Sequence, residues 1–470
     1  MADTTEPKLL RALNTWDLAV YGMMYMIPVA PFAWYGSFLA TSNGMIALAY
    51  AIGFVAMLFT GFSYGAMSHR FPIAGSVYSY VQRGTRAELG FLAGWAICLD
   101  YILVPAVCYL LGAIFMQQLI PSVPQWVWIV IFVVITTVIN VLGVRLLAIV
   151  NWLLFGFQIA VILYFLIAVW IKMGQGTIHW NTLSFYNPHG FKIHAVLATT
   201  VIVVVSYLGF DAVSTLAEEA HEPKRQIPRG LIFSILGAGS IFVIISYFAG
   251  VAAPDFGKLS ADTAVLDIAK NVGGVALKDL MIIVIAVSFG FACGVEALAA
   301  ISRIMYAMGR DGILPKVLAT IHPKWHTPWI AILFVTVLSF VVAESVSLGL
   351  LASLLSFGAL IGFMALNLSV VWHFFIKGTS ARNALNFVKY VISPLIGFGV
   401  CVWIWANMGT AAYTVGGCWL GAGILYLLYR TRVFTKPSPV LALDDVLAPE
   451  EPGAPALGGA GAVEEAAPST

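Results

Sequence analysis

Three carboxylates stand inside long apolar runs of this chain: Asp100, Asp211 and Glu296. A carboxylate at the centre of a membrane helix costs about 2.5–3.5 kcal/mol, so it is kept where it faces protein or a watered cavity and finds a partner. Asp211 ends the stretch Ser206-Tyr207-Leu208-Gly209-Phe210-Asp211, in which Gly209 frees the backbone and weakens the helix locally. A second weak point is Tyr21-Gly22-Met23-Met24-Tyr25-Met26-Ile27-Pro28, followed by Pro31. Proline inside a helix removes a backbone bond and clashes with the preceding turn. The chemistry these residues suit is recognition of a small charged solute. Asp100 and Asp211 would pair with an ammonium, the rings of Tyr25, Tyr101, Tyr207 and Phe210 would wall it by cation–π contact, and Met26, Ile27 and Gly209 would present freed backbone groups. Each candidate also has a plainer role: an aspartate that fixes helix packing, an aromatic that fills space, a glycine that lets two helices approach.

Glu296 lies some fifteen residues before Asp311, about 22 Å of helix from that end. It is either a substrate contact or a titrating group that couples transport to protons, unless an ion pair with Arg303 on the same helix face neutralises it. Glu218, Glu219 and Arg225 close the Asp211 segment and read either as gate salt bridges or as a solvated loop. The five cysteines sit singly in apolar surroundings, and neither they nor the eight histidines show metal-ligand spacing. No cofactor is expected.

These residues are carried on a chain that is 61% hydrophobic and 10% charged, with mean hydropathy +0.93. Soluble domains carry about 25% charged residues, so the composition predicts an all-α polytopic membrane protein built from apolar spans of about 20 residues. Net charge is +2, and no basic block points to nucleic acid. No signal peptide pattern opens the chain, so the first span is expected to remain. Twelve spans are expected, near 16–38, 45–67, 89–119, 127–142 and 147–171, a broken sixth within 201–230, and then 231–251, 280–308, 329–342, 348–375, 390–408 and 411–429. A polar loop is expected over 254–278. The tail 431–470, rich in Pro, Ala, Gly and acidic residues, is expected to be disordered. With both termini cytoplasmic, Lys and Arg divide roughly four to one in favour of the inside, which sets the orientation.

The breaks fall in the first and sixth spans, corresponding positions in two blocks of five. Paired interruptions of this kind mark the solute site of a transporter. Half-helix N-termini offer N–H groups to a carboxylate, and unwound carbonyls suit a cation. Such backbone cannot face lipid. The organisation expected is therefore an N-terminal segment (1–15), a first repeat (16–172), an inverted second repeat (194–376) with discontinuous helices 1 and 6, two C-terminal helices (388–430) and the tail.

Several stretches carry a resemblance: FSYGAMSHRFPIAGSVYSYVQRG (Phe62–Gly84), GWAICLDYILVP (Gly94–Pro105), SYLGFDAVSTLAEEAHEPKRQIPRG (Ser206–Gly230), SRIMYAMGRDGILPK (Ser302–Lys316) and HPKWHTP (His322–Pro328). On these the chain, over about residues 10–435, resembles the amino acid–polyamine–organocation superfamily of secondary transporters, and within it bacterial putrescine importers. The resemblance implies a five-plus-five inverted-repeat core that alternates access by rocking a bundle. Two departures stand out. Similar putrescine importers place an acidic residue after the first break, whereas Pro28 to Gly36 contains none. Some proton-coupled relatives place a lysine in span 5, where this chain has Gln158, which cannot titrate.

The reading that follows is a permease in the plasma membrane for a small amine or amino acid. Intramembrane acids favour a cationic amine such as putrescine over a zwitterionic amino acid, whose carboxylate would sit near Met26–Val29. An enzyme would need a nucleophile–base pair or metal cluster, and no such constellation or nucleotide-phosphate loop recurs. A channel would be expected to show filter segments rather than paired breaks.

Overall fold

The computed structural model describes residues 11–430 except 189, 256–258, 260–263, 347, 379–382 and 409, so the expected tail and residues 1–10 of the N-terminal segment lie outside the described residues. The described residues form part of one compact unit. They are all-helical, and the one isolated bridge among them joins Leu13 to Ala220. The helices are α1 (Thr15–Met26), α2 (Ala30–Ser42), α3 (Ile46–Arg70), α4 (Ser76–Gly84), α5 (Ala87–Leu119), α6 (Gln125–Leu142), α7 (Val144–Gly174), α8 (Ile193–Val203), α9 (Pro223–Ala252), α10 (Ala264–Val287), α11 (Gly294–Arg310), α12 (Trp329–Ser345), α13 (Leu348–Val370), α14 (Ala384–Phe387), α15 (Ser393–Ala406) and α16 (Thr410–Arg430).

The chain enters α1 through a reciprocal cap. Asn14 Oδ1 accepts from the Trp16 and Asp17 amides at 2.8 and 3.2 Å, and Asp17 Oδ2 accepts from the Asn14 amide at 3.0 Å. These bonds satisfy amides that a helix start leaves free. In the middle of the molecule stands α5, 33 residues long, packed by α4, α6, α10, α11, α12, α13 and α16. At about 1.5 Å per residue it is longer than the hydrocarbon layer is thick. A six-residue π-turn, Ser288–Cys293, joins α10 to α11 and meets α5 where a β-carbon on Gly112 would stand 2.4 Å from the Gly290 Cα. Only glycine permits that approach, in keeping with small residues at membrane helix contacts.

Among the described residues eleven helical segments are long and apolar enough to cross a membrane by length and composition, against the twelve spans expected. The expected ninth span, α12, has 17 residues and rises only about 25 Å, short of a bilayer core of about 30 Å. The stretch expected as a polar loop over 254–278 contains the first turns of α10, with Val265, Leu266, Ile268 and Ala269 buried before a kink at Gly274 (φ 75°). The link between spans 2 and 3 contains α4, whose nine residues are almost all buried.

Candidate functional site

Both weak points are true departures from helix. At the end of α1, Ile27 takes φ 59°, ψ 96°, a region costly for a β-branched residue. Pro28 and Val29 then lead into α2. The Val29 amide meets Gln158 Oε1 of α7 at 3.4 Å, and Pro28 and Pro31 have no N–H. The Tyr25 carbonyl, freed by the break, accepts from Cys293 Sγ at 3.3 Å. In the sixth segment, α8 tightens to a 3₁₀ turn over Val204–Tyr207, Leu208 is extended and Gly209 takes φ 107°. The chain then runs in 3₁₀ form over Phe210–Glu219. The two breaks touch: a β-carbon on Gly209 would lie 1.9 Å from Cδ1 of Tyr25.

Asp211 opens this second 3₁₀ segment and is buried. Its Oδ2 accepts from Tyr101 of α5 at 2.6 Å and from Tyr64 of α3 at 3.1 Å. Tyr101 in turn meets Tyr25 edge-on at 6.1 Å between ring centroids. Beside them, and within electrostatic reach of Tyr25 and Asp211, lies Asp100. Asp100 Oδ1 and the Tyr25 hydroxyl are both buried with no hydrogen-bond partner among the described residues. Buried polar groups are normally paired, and an unpaired one in a native protein points to an absent ion, water or ligand. Phe210 stacks obliquely on Phe363 and edge-on to Tyr64, at 5.6 and 5.4 Å, so it stands next to the acid pair. Met26 and Ile27 are buried at the first break.

Glu296 occupies the first turn of α11 and is fully buried. Neither of its carboxylate oxygens has a hydrogen-bond partner among the described residues. Asn151 of α7 is the polar side chain facing it. The Tyr21 hydroxyl of α1 donates to the Glu296 backbone carbonyl at 3.0 Å, and Asn140 of α6 donates to the neighbouring Val295 carbonyl at 3.0 Å. The alternative to a substrate or coupling role, an ion pair of Glu296 with Arg303, is not formed. Arg303, also buried, gives Nε and Nη2 to the two oxygens of Glu219 at 3.0 and 3.2 Å.

The predicted gate residues therefore separate. Glu219 pairs with Arg303, and Glu218 pairs with Arg310 at 2.9 Å. The backbone of Ala12 and Leu13 lies against the Glu219 carbonyl, at 2.9 and 3.1 Å. Tyr78 of α4 donates to Asp311 at 2.5 Å. Burial pushes the Asp311 carboxyl up, against the pull of that hydrogen bond and of Arg310. Arg225 stands apart: its partner is Glu222 at 3.6 Å, both side chains largely exposed. Tyr207 is also apart from the acids. Its hydroxyl donates to the Tyr50 carbonyl at 2.8 Å and its ring packs on Phe54 and Phe242. Sequence reasoning passed over Tyr64 and Tyr21, although both lie in stretches it singled out. A tyrosine among apolar neighbours carries no mark of which carboxylate it will meet. No group of His, Cys, Asp or Glu among the described residues could hold a metal ion.

Buried carboxylates set at paired helix breaks in a polytopic bundle are the arrangement of a solute permease. The amino acid permease family model matches residues 17–425, and the chain belongs to that family. It is a transporter of the multi-pass membrane class, not an enzyme. Over 443 residues, 93% of this chain and 97% of the relative, it is 32% identical to the low-affinity putrescine importer PlaP of Escherichia coli (strain K12). It is 28% identical to the methylthioribose transporter of Bacillus subtilis (strain 168), over 92% of this chain and 96% of the relative. The branched-chain amino acid permease BcaP of the same organism is 24% identical over 92% of this chain and 95% of the relative.

Proposed function

We propose that this permease is a secondary active transporter of the plasma membrane that imports a small organic amine or amino acid by alternating access. A cationic amine such as putrescine is favoured over a zwitterionic amino acid. The observation that carries this reading is the unpaired Asp100 oxygen, buried with the unpaired Tyr25 hydroxyl beside Asp211. A charge left in such a place without a counter-ion is expensive, and an ammonium would supply the counter-charge. The first break supports the same preference. Its amides are lost to Pro28, Pro31 and the Val29–Gln158 contact, so a substrate carboxylate finds few donors there. The name of the putrescine importer among the relatives points the same way, whereas those of the methylthioribose and branched-chain amino acid transporters keep the zwitterion as the second reading.

In this reading α12 is a short ninth span of twelve, with residues 16–172 and 194–376 as inverted repeats and both termini cytoplasmic. Tyr25, Met26, Ile27, Asp100, Tyr101, Gly209, Phe210 and Asp211 line the substrate site, Glu218 and Glu219 belong to the inner gate, and Glu296 serves proton coupling. The test is uptake of labelled putrescine into proteoliposomes, competed by unlabelled amines and amino acids. Saturable putrescine uptake that falls at least about tenfold in Asp100→Asn, the equivalent of about 1.4 kcal/mol, is expected. Uptake of valine but not putrescine, or full activity in Asp100→Asn, would sink the amine reading.

A further inference from the structure

Glu296 and Arg303 share one face of α11, two turns and about 10 Å apart, yet in this structure they are not paired. Arg303 reaches from α11 to Glu219, closing the end of the bundle where the Leu13–Ala220 bridge also lies. Between the two acids stands Tyr21 of α1. Its hydroxyl holds the Glu296 carbonyl at 3.0 Å, and its ring lies within electrostatic reach of Arg303 and Glu219. The groups that face Glu296 are therefore Tyr21 from α1, Asn151 from α7, Cys293 from the π-turn and Arg303 from its own helix, with Asn140 of α6 on the adjoining carbonyl. Arg303 is the one cation among them.

From this geometry we propose that Glu296 is a proton-binding site separate from the substrate acids, and that Arg303 exchanges partners between Glu219 and Glu296 as that proton is lost and gained. With the proton on Glu296, the carboxyl is neutral and makes no demand on Arg303, which locks Glu219. When the O–H bond breaks and the proton passes to water at the inner face, the bare carboxylate competes for the nearest cation. Arg303 swings along its own helix toward Glu296, which costs Glu219 its partner. The 3₁₀ segment that carries Glu219 and Asp211 then loses its buried tie to α11 and keeps only the more exposed Glu218–Arg310 pair, so proton release and loosening of the inner gate become one event. Asn151, whose Oδ1 is buried without a partner, can turn its amide to donate to the ionised form. The proposal rests on the transporter reading and deepens it, by naming the partner ion and the contact it controls.

The experiment needs no substrate. Spin labels are placed at two exposed positions flanking the Glu219–Arg303 contact, through Lys224→Cys and Lys316→Cys, after the exposed Cys418 is replaced by serine. Distance distributions are recorded in nanodiscs across a pH series. The parent protein is expected to shift from short to long distances as pH rises. Glu296→Gln, fixed in the neutral form, is expected to stay short at every pH. Glu296→Asp should keep the shift, and Glu219→Gln should be long throughout, because nothing holds Arg303 across the gate. A parent with no shift, a Glu296→Gln variant that shifts like the parent, or a Glu219→Gln variant that stays short each overturns the proposal. If Glu296→Gln does not fold, Glu296→Asp decides, because a pH midpoint unmoved from the parent's when the carboxyl is drawn back by one methylene would overturn the role of Glu296. A pH-dependent gate in a protein that transports neither amines nor amino acids would defeat the transporter reading alone, whereas transport with a gate blind to pH would defeat this proposal alone.

Discussion

The ring of Tyr25 occupies the place where a side chain on Gly209 would begin: Cδ1 is 1.9 Å and Cε1 2.5 Å from an ideal β-carbon there. The two breaks of the bundle are thus in van der Waals contact, and the second can be made only by a residue without a side chain. Gly209 also needs its positive φ of 107°. Both demands fall on one atom. Gly209→Ala is therefore expected to cost about 2–5 kcal/mol, combining a left-handed penalty of about 1–2 with overpacking of about 1–3. It should show as a lower melting temperature in detergent together with loss of uptake. Gly156→Ala, in α7 with nothing within 4 Å of its β-carbon position, is the matched control and should melt with the parent or slightly above it, since alanine favours the helix over glycine.

Asp211 depends on two phenols of unequal strength. The Tyr101 bond is 2.6 Å and the Tyr64 bond 3.1 Å. Bonds to charged groups contribute about 1.5–3 kcal/mol, and short ones lie toward the strong end. Tyr101→Phe should therefore reduce substrate affinity and stability more than Tyr64→Phe, and the double variant more than either. Equal effects of the two single variants in a substrate-binding titration would contradict this order.

The Arg303–Glu219 pair is buried at both ends, with side chains 1% and 2% exposed. Removing one partner from such a pair leaves an uncompensated charge and costs about 3–5 kcal/mol. Arg303→Met should accordingly melt well below the parent, and adding Glu219→Leu should recover most of the loss while uptake stays impaired. Arg225→Ala is expected to leave both melting and uptake unchanged. Its pair with Glu222 is 73% and 63% exposed, a setting in which ion pairs contribute little. A marked uptake defect in Arg225→Ala would return that residue to the gate.

Gln158 bridges α7 to the first break through the Val29 amide at 3.4 Å and the Met24 sulfur at 3.3 Å. The amide bond is long, so Gln158→Leu should cost only about 1 kcal/mol. Its consequence should be kinetic: a looser hinge between α1 and α2, read as a changed maximal uptake rate with little change in melting. A loss of several degrees in melting temperature would mean that the side chain carries more of the fold than its geometry allows.

The residues alone were enough for the membrane class, the positions of most spans and the two breaks. The physics behind these features is local. An apolar run of about 20 residues, a proline or a glycine in mid-run, and a carboxylate at that depth each constrain the chain whatever surrounds them. Contact partners were decided elsewhere. Spacing on α11 put Arg303 on the face of Glu296, but the guanidinium turned to Glu219, 84 residues away in sequence, because the fold delivers that carboxylate in line with its planar fork. Tyr207, one turn from Asp211, went to the Tyr50 carbonyl, since a 3₁₀ turn followed by an extended residue rotates it off the helical register. Tyr64 reached Asp211 from 147 residues away. Periodicity says which residues share a face; it does not say which neighbour that face will meet, and at this site the pairing of every buried charge rests on that neighbour.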